Sequence, residues 1–534
     1  MDSAFTSVVK SSPKFVLRRS KAISSSWLLM AGLSLGCQAQ EIAAPPAPVP
    51  LLPTHRLMPA PPLLTTGRSL LWVALDDHLG QETEGIKPAP SLQLKSAGQP
   101  LLLRDARGEV HRSLSITLSW KQVSLDTPHQ FARYVAGPFA SFESAERVAM
   151  DWRQAGVDAV VAHPNDWQVW APLSIRPPEE VPFQVRRETV ARFVQPVLQL
   201  PDGAITLAAP LEIEAPDGLD WQGGVYRGPF RLQPDAYGSW TLVEQVPLES
   251  YLLGVVPHEI GAGAPVAALM AQTVLARTWA LANRHRFAVD GYHLCSDTQC
   301  QVYRDPRQAS VGVRQAITTT AGKVLSWQGQ PISAVYHASN GGVMAAGSEA
   351  WSMDSVPYLR AQLDGPAAWA EQFAWPLVAP SSLATLLQVG DEAYGSAHVR
   401  FRWQRTLTAA QIQQALQSLA PGLALPQQLT VSERGASGRV LALEIRSSET
   451  QPPVVLRLDS IRRHLRQLPS TLFVIKPESE GIWRFTGGGF GHGAGLSQAG
   501  AIDLAFRGWS TEQILSHYYP GTMYGPLPQI ENAH

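Results

Sequence analysis

At 534 residues the chain is long enough for about two to four domains, and 45% hydrophobic residues with 16 tryptophans describe a core-bearing protein rather than a disordered one. Lysine plus arginine (43) nearly balance aspartate plus glutamate (44), and only 16% of the residues are charged. That balance excludes the basic footprint of a nucleic-acid-binding protein.

The first 40 residues read as an export signal. Lys10, Lys14, Arg18, Arg19 and Lys21 precede a short apolar run, WLLMAGLSLGC at 27–37, and a small-residue cleavage site, CQA, stands before Gln40. The run is too short for a confident membrane span, so no transmembrane helix is expected in the mature protein. LSLGC also offers Cys37 for lipid anchoring, but Ser34 suits that signal poorly, and simple cleavage after residue 39 is the preferred reading. Residues 40–66, rich in proline and alanine, read as an extended linker.

A mixed region follows, with an N-terminal αβ part expected over 67–180 and a larger domain over 181–525. SLLWVAL, LSITLSW, FVQPVLQL and AITLAAPLEIEA read as strands, bounded by turns such as Asp217-Gly218 and Gly223-Gly224. Within residues 129–172 the pattern predicts a strand, Ser141 as a helix N-cap, an amphipathic helix over 142–154, a stop at Gly156 and further strands. An apolar, strand-like run then leads through a turn carrying Glu259 to a long alanine-rich helix, opened by Pro265 and running to about His285. Val266, Leu269, Met270, Thr273 and Val274 recur at helical spacing and would face a core. Residues 314–340 alternate like strands, 408–418 read as a helix, and 428–475 return to strands. From Gly487 a glycine-rich loop leads into two final helices, SQAGAIDLAFRG and STEQILSHYY. The fold class is α+β.

Taken alone, Glu259 reads as an acid stabilising the start of the following helix. Two readings of GGGFGHGAGLSQAGA, residues 487–501, fail on inspection. Gly489, Gly491 and Ala494 fit a loose dinucleotide-binding pattern, yet too little chain remains for such a domain. Ser497 nearly fits a nucleophile elbow, with His492 or His517 as a base, but Ala499 breaks the motif.

The blocks LESYLLGVVPHE, APVAALMAQTVLARTWAL, LCSDTQCQVY, AVYHASNGG and GFGHGAGLSQAGA, with a terminal ILSHYYPGT, resemble in order the SpoIID/LytB family. These are the sporulation peptidoglycan lytic transglycosylases and the amidase-enhancer proteins, and the resemblance covers roughly residues 190–525. It implies a mixed α/β fold with a cleft for a glycan strand, in a protein exported to the periplasm or cell wall. The implied reaction cleaves between N-acetylmuramic acid and N-acetylglucosamine and leaves a 1,6-anhydro end. The alternative the family implies is non-enzymatic: peptidoglycan binding that enhances an N-acetylmuramoyl-L-alanine amidase. No cofactor is required for either.

Ordinary glycosidases need two carboxylates. If the sugar's own 6-hydroxyl attacks, one carboxyl group suffices as acid and then base, provided an apolar setting raises its pKa. The resemblance assigns that role to Glu259, beside Val255, Val256, Pro257 and Ile260. It implies cleft-lining roles for Gln272, His337, Ser339, Asn340, Gly341, His492 and Gln498. Glu249 reads as structural, and Arg277, five residues from Gln272 and on a different face, as the partner of a structural carboxylate. Trp351 and Trp369 are candidates to stack on sugars. In some relatives the cysteines matching Cys295 and Cys300 bind zinc with a histidine. Here His293 is the nearest such residue, and Gln299 occupies the usual histidine position. Disulfide, structural zinc and free thiols stay open. Finally, YVAGPFASFESAERVAMDWRQAGVDAVV resembles the SPOR domain, a glycan-binding module, with an ordinary αβ subdomain as the alternative.

Overall fold

Two large sheets carry the fold, and each draws strands from both sides of residue 180. The computed structural model describes residues 61–62, 70–82 and 88–526. The expected export signal, Cys37 and all of the linker except 61–62 lie outside the described residues.

The first sheet has seven strands. Its centre pairs Leu70–Leu79 antiparallel with Trp240–Pro247, with Leu70 opposite Pro247 and Val73 opposite Glu244. Leu71, Val73 and Leu75 alternate into the core, the period of a half-buried strand. On its other edge Leu70–Leu79 pairs parallel with Leu294–Cys295, which places Cys295 beside Ala74. The second sheet is dominated by Ser115–Phe139 and Phe183–Leu200, which run antiparallel from Leu118 opposite Leu198 to Ala136 opposite Phe183.

Against this sheet packs the helix Phe142–Gln154. Ser141 caps it by accepting the Ser144 N–H at 3.2 Å, and Gly156 leaves it at φ +83°. The strands Val160–Ala162 and Trp167–Pro172 follow. The strand–helix–strand–strand order expected for 129–172 is therefore present.

From Trp240–Pro247 the chain passes directly into Leu248–Val256, which is a helix and not the strand-like run expected. Its buried residues Tyr251, Leu252, Val255 and Val256 repeat at helical spacing, and so short an apolar run is ambiguous in sequence. A wide turn, Pro257–Gly261, follows and closes with Gly261 at φ +88°. Pro265 then caps the long helix Val266–Ala282. Leu269, Thr273 and Val274 face the core as expected, whereas Val266 is 48% exposed and Met270 half-buried. From Ala271 to Leu281 every side chain is buried, which makes this a core helix covered on all faces.

Residues Val311–Thr319 form a helix capped by Ser310, which takes up the start of the stretch 314–340 expected to be extended. The strands Lys323–Trp327 and Tyr336–His337 come after it. Residues beyond 345 build two three-stranded sheets with a core of their own around Trp403, Leu443, Ile445, Phe473 and Phe485. Between these sheets stands the short helix Asp459–His464, which docks on the first helix through Ser144 Oγ donating to Asp459 at 3.1 Å. The chain returns through the glycine-rich loop to Leu496–Ser497, parallel to Tyr336–His337, and ends in the helices Gln498–Phe506 and Thr511–Tyr518. Among the described residues no helix is long and apolar enough to cross a membrane.

Candidate functional site

Glu259 stands on the wide turn between the two central helices, at the wall of a cavity of about 530 Å³. The wall also holds Val302, Tyr336, Trp351 and His492, and it includes Trp279 of the long helix. The second wall comes from the helices Phe142–Gln154 and Asp459–His464, through Glu143, Asp459, Arg462 and neighbours.

The carboxyl group is met by neutral donors. The Val302 backbone N–H donates to Oε1 at 2.8 Å, and the Gln498 amide and Tyr336 hydroxyl also hydrogen-bond it. Burial raises its pKa above the ordinary glutamate value, and these three donors pull it partly back. Tyr336 Oη in turn accepts from Gln301 Nε2 at 2.9 Å, and Tyr251 Oη donates to Gln301 Oε1 at 3.2 Å. A half-buried acid with a raised pKa and no adjacent cation is suited to proton transfer at a cleft surface.

Val302 reaches Glu259 because of Gly254. A Cβ at Gly254 would collide with the Tyr303 ring and the Arg304 carbonyl oxygen, while the Arg304 N–H donates to the Gly254 carbonyl at 3.0 Å. The loop carrying 302–304 thus lies directly on the helix that leads to Glu259.

Of the other expected cleft residues, His492 and Gln498 stand at the site. His492 Nε2 donates to the Tyr336 carbonyl at 2.8 Å, Nδ1 accepts from the Ala494 N–H at 3.2 Å, and its ring lies 4.6 Å from that of Trp351. Burial, with Arg462 nearby, lowers its pKa to about 3, so the ring is neutral. The remaining five lie behind the wall. Gln272 is fully buried and accepts from Gln498 Nε2 at 3.4 Å, so it supports the residue that touches Glu259. His337 is buried against the Ala494 carbonyl and the His492 ring. Ser339 bridges to Phe490, and Asn340 joins Gly342 to Asp364. Gly341, at φ +72°, has no room for a Cβ, which would lie 2.7 Å from the backbone of Gly488 and Gly489. The glycines here bring backbone against backbone.

Trp351 lines the cavity, but Trp369 is fully buried against Phe373 in a separate core and is no surface for a sugar. Arg277 pairs with Glu249 through two bonds of 2.8 and 2.7 Å, the structural partnership expected. Ser497 caps the helix after it by accepting the Gly500 N–H, while His517 is bound to Asp364 at 2.7 Å; no nucleophile–base pair forms.

Cys295 and Cys300 form a disulfide. His293 holds the main chain with both nitrogens: Nδ1 accepts the Trp72 N–H at 2.8 Å and Nε2 donates to the Pro62 carbonyl at 2.9 Å. These three residues do not fit a zinc site, which needs free thiolate and imidazole donors converging on one point. Among the described residues no group of three or more histidine, cysteine or acidic side chains is gathered for a metal.

Nothing in the sequence marks Gln301, Val302 or Tyr251 as site residues, or gives Tyr336 its role. The block LCSDTQCQVY held the first two, and nothing in it marks a backbone N–H as a carboxyl partner. The arginine-bearing helix Asp459–His464 had no local signal at all.

Comparison with known proteins gives a consistent set of likenesses. The family described as "Stage II sporulation protein" matches residues 236–327, and a "Domain of unknown function (DUF8618)" matches residues 345–495. The stage II sporulation protein D of Bacillus subtilis (strain 168) is 29% identical over 308 residues, which cover 55% of this chain and 78% of that protein. The protein of the same name from Bacillus amyloliquefaciens is 30% identical over 297 residues, covering 52% of this chain and 74% of that protein. The amidase enhancer of Bacillus subtilis (strain 168) is 30% identical over 299 residues, but these span only 40% of its length.

Proposed function

Because the chain belongs to the SpoIID/LytB family, we propose that it remodels peptidoglycan as a lytic transglycosylase with Glu259 as its single acid and base. The observation that carries this reading is the Glu259 carboxyl at a cavity wall, its pKa raised by burial and its contacts limited to neutral donors. Protonated Glu259 gives its proton to the glycosidic oxygen of the departing N-acetylglucosamine as the bond to C1 of N-acetylmuramic acid breaks. The 6-hydroxyl of the same muramic residue attacks C1 and returns a proton to the carboxylate, so the 1,6-anhydro ring forms without water. Glu259 ends as it began. Exported protein would meet this substrate in the periplasm or wall, and the SPOR-like segment at 129–172 would add a second hold on the glycan.

The amidase-enhancer reading is favoured by one observation, an identity to the matching 40% of the Bacillus subtilis amidase enhancer (30% over 299 residues) close to that with stage II sporulation protein D (29% over 308 residues). Purified protein and its Glu259→Gln variant, incubated with glycan strands with and without stem peptides, separate the two. Mass spectrometry is expected to find 1,6-anhydromuramic ends with the unsubstituted protein alone. Their absence on every substrate would sink the enzymatic reading, and stimulation of an added amidase by both proteins would support the other.

A further inference from the structure

The cavity that holds Glu259 is also lined by arginines, two of which have no ion-pair partner among the described residues. Of the four arginines lining it, Arg286 is paired with Glu143 and Arg463 with Asp166. Arg462 and Arg466 form no ion pair among the described residues. Arg462 is half-buried and its Nε is buried without a hydrogen-bond partner. The acid that acts on it is Asp459, whose carboxyl is already hydrogen-bonded by Ser141 and Ser144. Arg466 is exposed and donates one bond, from Nε to the Arg463 carbonyl at 3.3 Å. The same two arginines also wall an adjoining groove of about 320 Å³, where Arg400 stacks on Phe490 at 4.1 Å and Arg405 likewise has no ion-pair partner among the described residues.

A buried guanidinium nitrogen without a partner is costly, and a planar fork of donors matches a carboxylate with two parallel bonds. The geometry points to a carboxylate-binding subsite formed by Arg462 and Arg466 in the cavity that also holds Glu259, continuing into the adjoining groove. The subsite lies in the segment 345–495, which matches a domain of unknown function and lies outside residues 236–327, where the sporulation-protein family model matches. It deepens the transglycosylase reading and rests on it for the identity of the polymer. A muramic residue carries a lactyl group whose carboxyl is either free or extended by a peptide that itself ends in carboxylates. Both sources offer the same chemistry.

The test measures binding, so that it does not depend on turnover. Full-length protein carrying Glu259→Gln is titrated with end-labelled glycan strands in three forms: stem peptides removed, stem peptides intact, and all carboxyls converted to neutral amides. Neutralising the carboxyls is expected to weaken binding roughly 10- to 100-fold, and Arg462→Gln or Arg466→Gln to weaken binding of the charged strands by a similar factor while leaving the neutral strands unaffected. Arg462→Lys, which keeps the charge, should restore part of the loss. The tighter of the two charged strands identifies the source of the carboxylate. Equal binding of charged and neutral strands by the protein with both arginines intact overturns the subsite, whatever the arginine variants do. Cleavage by the unsubstituted protein is followed separately. Charge-dependent binding without cleavage would remove the transglycosylase reading and leave the subsite standing; cleavage with charge-independent binding would do the reverse.

Discussion

Val302 donates its backbone N–H to Oε1 of Glu259 at 2.8 Å, across 43 residues of chain. A backbone donor cannot rotate away as a side chain can, so the position of one carboxyl oxygen is set by the loop that carries Val302. That loop is held against the helix Leu248–Val256 at Gly254.

Gly254→Ala should therefore disturb the site from a distance. The added methyl meets the Tyr303 ring and the Arg304 carbonyl, and overpacking of this kind costs about 1–3 kcal/mol. Thermal denaturation should register that loss. Any glycan cleavage should fall further than stability alone explains, because Val302 moves with its neighbours.

Glu259→Gln should lower cleavage by ~10²–10⁴-fold, the usual contribution of one proton-transferring group. Stability carries a second signature. Burial raises the Glu259 pKa, so the folded state favours the protonated form, and the cost of the buried charge appears only as pH rises through that raised value. The glutamine variant should gain stability relative to the unsubstituted protein as pH increases, with the two converging in acid. Melting curves from acid to neutral pH would decide it.

The pH profile of cleavage has a predicted sign as well. The acid must begin protonated, so the rate falls on the alkaline side as Glu259 ionises. Tyr336→Phe removes one of the donors that hold its pKa down, and the alkaline limb should move to higher pH. An unmoved limb would show that another group sets it.

Arg277→Leu tests the frame around the site. Arg277 is buried, bound twice to Glu249 and once, at 3.0 Å, to the Lys323 carbonyl. Breaking a buried pair costs several kcal/mol, but the Glu249 side chain is 42% exposed, which reduces the expected loss to about 2 kcal/mol in denaturant unfolding.

Local signals in the sequence were legible where one residue and its near neighbours decide the structure. Ser141, the amphipathic 142–154 and Gly156 gave a helix with both ends, and Pro265 marked the start of the core helix. Leu248–Val256 reads as a strand in sequence because four buried apolar residues in so short a run suit either periodicity. For the site, the sequence blocks located Glu259, His492 and Gln498. They did not distinguish a residue that lines a cleft from one that packs behind it. Ser339, Asn340 and Gly341 sit in a motif because two backbones meet there, a constraint as strict as ligand contact and invisible as a difference in sequence. Arg462 and Arg466 were illegible for another reason: they line the cavity of Glu259 from some 200 residues away, beside a helix that is bonded to the first helix through Asp459 and Ser144.

The ring closed by Cys295 and Cys300 leads directly into Gln301 and Val302, the one holding Tyr336 and the other Glu259. Formation of the sulfur–sulfur bond and alignment of the acid are thus steps in one assembly. A copy retained among reducing thiols lacks the closed ring that steadies both contacts, while oxidation outside the cytoplasm supplies it.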